Sequence, residues 1–112
     1  MKLIVVPLSL PAMQALDTDT APPDVLREIA LEASEFNALW VGKVFEGIYE
    51  ECGVFVDDFE DAALVGAPTL GRLVSFLDRR RLDDPAGRSG LDKLRQQAHL
   101  AQEKGTGVFF YF

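Results

Sequence analysis

The side chains of this sequence with the widest catalytic repertoire are its single cysteine, Cys52, and its single histidine, His99. A thiol and an imidazole that the fold brings together can form a nucleophile and its base, since such partners need not be close in sequence. The local pattern favours structural roles. Cys52 ends an apolar stripe and resembles a small buried hydrophobe, and His99 lies among Gln96, Gln97 and Gln102, which indicates a solvated face. We therefore expect no catalytic residue.

Metal-binding and phosphate-binding signatures are missing from the sequence. A zinc site needs several cysteine or histidine ligands, and the chain has one of each. The acids of residues 57–61 lack the glycine and the ligand spacing of a calcium-binding EF-hand loop. Residues 66–72 lack the Lys-Ser/Thr pair of a P-loop, and the glycines of residues 105–107 precede a predicted strand rather than a helix. We expect neither a metal nor a cofactor.

Residues 46–61, here called the acidic–aromatic segment, carry seven acidic side chains and no basic one, with large apolar residues between them. One interpretation is a solvated face, which most charge runs form. The other is a surface that attracts a basic partner and anchors it through aromatic rings, a use that would justify the repulsion among so many like charges. On the second interpretation the predicted partner-binding residues are Glu46, Tyr49, Glu50, Glu51, Asp57, Asp58 and Phe59.

The net charge of −7 is unevenly distributed along the chain. Residues 1–61 carry thirteen acidic and three basic side chains, whereas residues 62–112 carry five acidic and eight basic ones. A negative field argues against binding to nucleic acid or to an anionic membrane. In the basic half, Arg79, Arg80 and Arg81 are expected to complement the end of a helix and to pair with the acidic half.

The composition indicates one globular domain over residues 1–112, because a hydrophobic fraction of 48% is enough for a core without a metal or a disulfide. One cysteine gives no sign of an oxidising compartment. Pro7 interrupts the apolar N-terminal run and no small-residue cleavage site follows, so we expect no signal peptide. No apolar stretch approaches the ~20 residues of a bilayer span. The expected location is the cytoplasm.

The N-terminal half is predicted to begin with a buried strand over residues 2–6 and an irregular loop over residues 7–23. A helix is predicted from Asp24 to residue 33, with Asp24 as its N-cap and apolar residues at helical spacing. A second helix is predicted over residues 36–52, with Trp40 in its apolar stripe, and strand propensity in this stretch leaves a strand open.

Glycine, proline and capping signals divide the rest of the chain. Gly53 is expected to end the preceding helix in the left-handed conformation. The other predicted elements are a short helix over residues 57–64, a helix over residues 68–81, a loop over residues 82–90, a helix capped by Ser89 and ended by Gly105, and a strand over residues 108–112.

The two predicted terminal strands determine the expected fold. The last five residues are all large and apolar or aromatic, and they would promote aggregation if they were exposed. Their natural partner is the apolar N-terminal strand. The sequence therefore predicts an α+β fold, mostly helical with four to five helices, packed on a small sheet that the N- and C-terminal strands form.

In size, charge and the acidic–aromatic segment, the chain resembles the small acidic cytoplasmic immunity proteins that bacteria encode beside secreted antibacterial toxins. The resemblance lies in general character over the whole chain rather than in a motif. It implies a non-enzymatic antagonist that binds a basic effector or toxin domain and blocks its active site with acidic and aromatic side chains.

Three other functions stay open at this point. The chain could mimic nucleic acid and inhibit a nuclease or a defence complex. It could be a small enzyme whose acid–base catalysis uses ordinary carboxylates. It could also be the subunit of a homo-oligomer in which the Phe-rich terminal strand pairs across a two-fold axis.

Overall fold

The computed structural model describes residues 2–112, which form a four-stranded antiparallel sheet and five α-helices. The strand order is β2-β1-β4-β3. The strands are β1 (Lys2–Pro7), β2 (Leu26–Leu31), β3 (Ala62–Val65) and β4 (Gly107–Tyr111). The helices are α1 (Leu10–Asp17), α2 (Ala33–Val41), α3 (Val44–Cys52), α4 (Ala67–Arg79) and α5 (Pro85–Lys104). The predicted α+β fold is confirmed.

The terminal strands pair at the centre of the sheet. Ile4 lies opposite Phe110 in the antiparallel register of β1 and β4, and both side chains are fully buried. Strand β4 also pairs with β3 on its other side. The predicted pairing of the chain ends is therefore correct, and β4 presents no free edge to a second copy.

Helix α5 covers the inner face of the sheet and joins the core. Its apolar residues recur at helical spacing and are buried: Leu91, Leu94, Ala98 and Ala101. They form one cluster with Ile4 and Phe110 from the sheet and with the inward leucines of α4. Because fully burying a Leu or Phe side chain contributes about 1.5–3 kcal/mol, this cluster is the main stabilising feature of the fold.

Helix α1 occupies part of the stretch that was predicted to be a loop. The Ser9 hydroxyl oxygen accepts a hydrogen bond from the backbone N–H of Ala12 at 3.1 Å, and Pro11 lies in the first turn, where the missing N–H costs nothing. Ala12 is buried, and so is Val5 of β1, which points to the opposite face from Ile4. The loop prediction was wrong because a Ser-x-Pro helix start was read as irregular.

The predicted helix over residues 24–33 was also wrong, since the chain forms a 3-10 turn (Pro23–Val25) and then β2. Every residue of β2 pairs with one of β1, from Leu26 opposite Pro7 to Leu31 opposite Lys2. The apolar spacing of this segment fits a helix and an edge strand alike. The partner strand decides between them, because strand propensity depends on tertiary context.

The predicted helix over residues 36–52 is two helices. Gly42 and Lys43 form a turn between α2 and α3, and Lys43 has the left-handed φ of 61°. The strand alternative is excluded. Gly47 lies where α3 crosses α4, and a Cβ there would approach the Phe76 ring to 2.3 Å, so glycine permits the close packing. Gly53 ends α3 in the left-handed conformation, as predicted.

Two of the later boundaries differ from the prediction. Residues 57–64 form a turn and then β3 instead of a helix, because Asp57 accepts hydrogen bonds from the backbone N–H groups of Phe59 and Glu60 without a helix following. Helix α5 begins at Pro85 with Asp84 as its N-cap, so the predicted loop over residues 82–90 was too long and Ser89 lies inside the helix. Helix α4 matches the predicted helix closely.

Gln97 is completely buried, so the prediction that it lies on a solvated face is wrong. Its Nε2 donates hydrogen bonds of 2.9 Å to the backbone carbonyls of Ile4 and Arg27. Helix α5 lies across β1 and β2, so a polar side chain on its inner face can reach carbonyl groups of both strands. His99, two residues further, is exposed as predicted.

A buried carboxylate, Glu35, joins β2, α2 and α5. Its Oε1 accepts hydrogen bonds from the Lys93 ammonium at 2.8 Å and from the backbone N–H of Glu32 at 2.7 Å, and its Oε2 accepts one from the Ser89 hydroxyl. Lys93 also donates to the carbonyl of Ala30 at 2.8 Å. Burial alone would raise the pKa of Glu35, but these three donors outweigh burial and hold the pKa below its ordinary value of 4.5.

We expect Lys93→Met to lower the free energy of unfolding by about 3 kcal/mol at neutral pH, because it leaves the buried Glu35 carboxylate without its cation. In the wild type the lowered pKa of Glu35 stabilises the fold above the ordinary glutamate pKa, and this contribution is lost as the pH falls through the folded-state pKa. The variant should therefore approach the wild type in acid. Urea unfolding at neutral pH and at about pH 4 measures both values.

The control is Lys104→Met, at the exposed end of α5, which should change the free energy of unfolding by less than about 0.5 kcal/mol. An equal loss of stability at both pH values for Lys93→Met would assign the effect to the lost hydrogen bond to Ala30 O and would contradict the ion-pair explanation.

Candidate protein-binding groove

Two adjoining depressions lie on the surface and are here together called the aromatic groove. They share Trp40 and Phe55, and their volumes are about 380 Å³ and 450 Å³. Helix α2, the start of α3 and the extended residues 54–60 provide the walls. The lining residues of the first depression are Trp40, Val41, Lys43, Phe45, Glu46, Phe55 and Val56. Those of the second are Phe36, Asn37, Trp40, Phe55, Asp57, Asp58 and Phe59.

The end of α2 presents large apolar side chains to solvent. Trp40 is 48% exposed and Val41 is 80% exposed, whereas Phe36 and Leu39 of the same helix are buried. Trp40 stacks on Phe36 one turn earlier, with 6.0 Å between ring centroids, so packing on one side fixes the ring and leaves its other side open. The prediction that Trp40 belongs to the inward stripe was wrong, because α2 ends one residue after it.

The extended segment after α3 supplies the opposite wall. Val56 is fully buried and Phe55 points the other way, as the alternation of an extended chain requires. The ring of Tyr49 in α3 packs against that of Phe55 in a T-shaped arrangement, with 5.7 Å between ring centroids. Phe59 projects from the turn that Asp57 caps and is 90% exposed.

The predicted partner-binding residues fall into two groups. Glu46, Asp57, Asp58 and Phe59 line the groove. Tyr49 adjoins it through Phe55, whereas Glu50 and Glu51 are exposed on α3 but line neither depression.

Sequence reasoning left Trp40, Val41 and Phe55 out of the predicted set. Phe55 was detectable in principle, since it alternates with the apolar Val54 and Val56 in a short extended stretch. Nothing local shows that Trp40 and Val41 lie on an exposed helix end, because the break at Gly42 and Lys43 depends on the packing of α3.

The carboxylates around the groove have few internal cations. Lys2 pairs with Asp58, and Arg79 lies 3.8 Å from Glu51 with both side chains largely exposed, a pair of little energetic value. Other arginines bind backbone carbonyls, as predicted for a helix end: Arg81 donates to Asp78 O, Arg95 to Leu77 O, and Arg80 to Gly42 O. The expected pairing of the basic half with the acidic half is limited, within residues 2–112, to Arg79 and Lys93.

Cys52 and His99, the two side chains with the widest catalytic repertoire, lie outside the groove. Cys52 is half-buried, and burial together with the nearby Glu51 carboxylate raises the pKa of its thiol, which disfavours the nucleophilic thiolate. The Nε2 of His99 lies 2.9 Å from Asp78 Oδ1 on the exposed surface of α4 and α5. Among residues 2–112, no three His, Cys, Asp or Glu side chains are grouped so that they could hold a metal ion. Within the same range, none of the helices has the length and apolar character needed to cross a membrane.

We expect Phe59→Ala to change the free energy of unfolding by less than about 0.5 kcal/mol, because the ring is almost fully exposed. Phe45→Ala, in the same region but fully packed, should cost about 3–5 kcal/mol. Urea unfolding of the two variants makes the comparison. A large loss in Phe59→Ala would mean that the ring is covered by the chain itself and is not a free surface.

Comparison of the chain with known proteins gives no assignment. No protein-family model matches it, and neither a curated protein nor a solved structure is significantly similar to it. The function has therefore to be argued from the groove and the charges around it.

Proposed function

We propose that this protein is a non-enzymatic antagonist that binds a basic protein domain through the aromatic groove, in the manner of an immunity protein that neutralises a cognate antibacterial toxin. The observation that carries the proposal is the exposure of Trp40, Phe55 and Phe59 in one groove whose rim bears carboxylates.

Exposed rings in one place are the usual anchor of a protein interface. Single exposed apolar residues are ordinary, but a contiguous apolar patch rimmed by polar groups marks an interaction site. Tryptophan and tyrosine are enriched among the residues that contribute most to binding, since they bury a large rigid area with few rotamers to restrain. Trp40 and Phe55 are already held by neighbouring rings, so little entropy is lost when a partner covers them.

The charges on the rim indicate the chemistry of the partner. Glu46, Asp57 and Asp58 line the groove, and Glu50 and Glu51 lie on the adjoining helix. A net charge of −7 adds a long-range field of the same sign, which accelerates encounter with a positive domain and opposes pairing of the groove with a second copy. A basic partner therefore fits this surface better than self-association does.

The proposed mechanism of antagonism is occlusion. A toxin that acts on an anionic substrate has a basic active site, and a surface of carboxylates and rings can fill such a site in place of the substrate. Glu46, Asp57 and Asp58 would face the basic residues, and Trp40 and Phe59 would anchor the complex. The chain itself then needs no reactive group.

The role of the rim carboxylates in binding can be tested with the protein that the neighbouring gene in the host encodes. We expect that product to arrest growth when expressed alone, and the wild-type chain to relieve the arrest and to form a stable complex. The double variant Glu50→Lys, Asp58→Lys should associate roughly tenfold more slowly, with a flatter dependence of the association rate on salt. Stopped-flow measurements on the purified proteins give both quantities.

A matched control carries Glu28→Lys and Glu103→Lys, which change the net charge equally on elements that do not line the groove. Equal slowing in both double variants would assign the effect to total charge. If the double variant Glu50→Lys, Asp58→Lys protects the cell and associates as the wild type does, the rim carboxylates do not contribute to binding.

The rings are tested separately through the dissociation rate. We expect Phe59→Ala to weaken the complex by about 2 kcal/mol, mainly by faster dissociation, as for other aromatic anchors. Leu10→Ala is the control, since Leu10 is an exposed apolar side chain on α1, outside the groove. Similar affinities for the two variants would exclude Phe59 as an anchor.

A further inference from the structure

We propose that the half of the groove between Trp40, Phe55 and Phe59 receives a lysine or arginine side chain of the partner, with the rings around the cation and the carboxylate of Asp57 beside it. The inference deepens the proposed function, on which it rests for the identity of the occupant. It assigns a specific chemistry to one of the two depressions.

The two halves of the groove differ in what they offer a ligand. The half next to α3 is lined by aliphatic and aromatic side chains, and its charged groups, Lys43 and Glu46, are of opposite sign. The half between α2 and the Asp57 turn combines rings with the carboxylates of Asp57 and Asp58. Asp58 pairs with Lys2, and within residues 2–112 Asp57 has no ion pair. The first composition suits an apolar side chain. The second suits a cation with an apolar stem, because the faces of rings attract cations.

The chain contains an example of the same recognition. The ammonium of Lys2 lies 4.3 Å from the centroid of the Phe36 ring and 5.7 Å from that of Phe112, and it pairs with Asp58. Phe36 and Asp58 both line the depression in question. One ammonium is thus already bound by a ring and a carboxylate at the edge of this depression, and the outer rings, Trp40 and Phe59, offer the same combination to a second cation.

The Asp57 carboxylate is positioned to bind the incoming cation. Its Oδ1 accepts the hydrogen bonds from the backbone N–H groups of Phe59 and Glu60, at 2.8 Å and 3.1 Å, and its Oδ2 belongs to neither bond. The turn therefore fixes the carboxylate and the backbone from which the Phe59 side chain projects. A cation between the carboxylate and the Phe59 ring would meet a negative group and a ring face.

The test uses the full chain and small probes, without the partner. Trp40 is the only tryptophan, so its fluorescence reports on this groove alone. We expect N-acetylarginine amide to give a saturable change, and the neutral isostere N-acetylcitrulline amide to bind at least roughly fivefold more weakly at constant ionic strength. The titration extends to about 100 mM, above the millimolar Kd expected of so few contacts.

Substitutions inside and outside the groove test whether the cationic probe binds there. Phe59→Ala should weaken the arginine probe roughly threefold or more. Asp57→Asn removes the charge but keeps an oxygen that can cap the turn, and it should weaken the probe to a similar degree. Leu10→Ala and Glu28→Gln, outside the groove, should bind the probe as the wild type does.

Three results would overturn the inference: no saturable change over the whole range, equal affinity for the arginine and citrulline probes, or undiminished binding by both groove variants. Because no partner is present, these results are independent of antagonism. A cation-selective groove in a chain that fails to protect against its neighbour's product would disprove the antagonist function alone. Loss of partner binding in Phe59→Ala without cation selectivity would disprove the cation pocket alone.

Discussion

The pairing of the two chain ends under α5 is the constraint on which the rest of the structure depends. Ile4 and Phe110 lie opposite each other with no exposure to solvent, and the core cluster is built around them. The same pairing fixes the position of Lys2, the first residue of β1, against Phe36, Phe112 and Asp58. The floor of the aromatic groove is thus tied to the central strands, so the site is supported by the most deeply buried part of the molecule.

Sequence patterns predicted the elements whose signals are local and strong. The terminal strands are continuous apolar runs, and α4 has clear helical periodicity between a Gly-Ala-Pro start and an arginine-rich end. The strands β2 and β3 were missed for a different reason. Both are short edge strands of the sheet, and pairing with β1 and β4, far away in sequence, selects the extended conformation.

The sequence predicted the acidic residues of the candidate site but only some of its exposed aromatic residues. The density of acids in residues 46–61 can be read directly, and four of the seven predicted residues line the groove. Which rings face outward depends on geometry that a linear pattern does not contain. Phe45 is buried and Phe55 is exposed because a helix start directs one inward and the alternation of an extended segment directs the other outward.

The arginines explain why the negative charge of the groove persists in the folded molecule. Arg80 and Arg95 donate to backbone carbonyls at the ends of helices, where the macrodipole also favours a cation. These contacts hold positive groups at the junctions of α2, α4 and α5, away from Asp57 and Glu46 on the groove wall. Within residues 2–112, Lys2 pairs with Asp58 of the groove, whereas Asp57 and Glu46 have no ion pair and keep their charge for the basic partner that we propose.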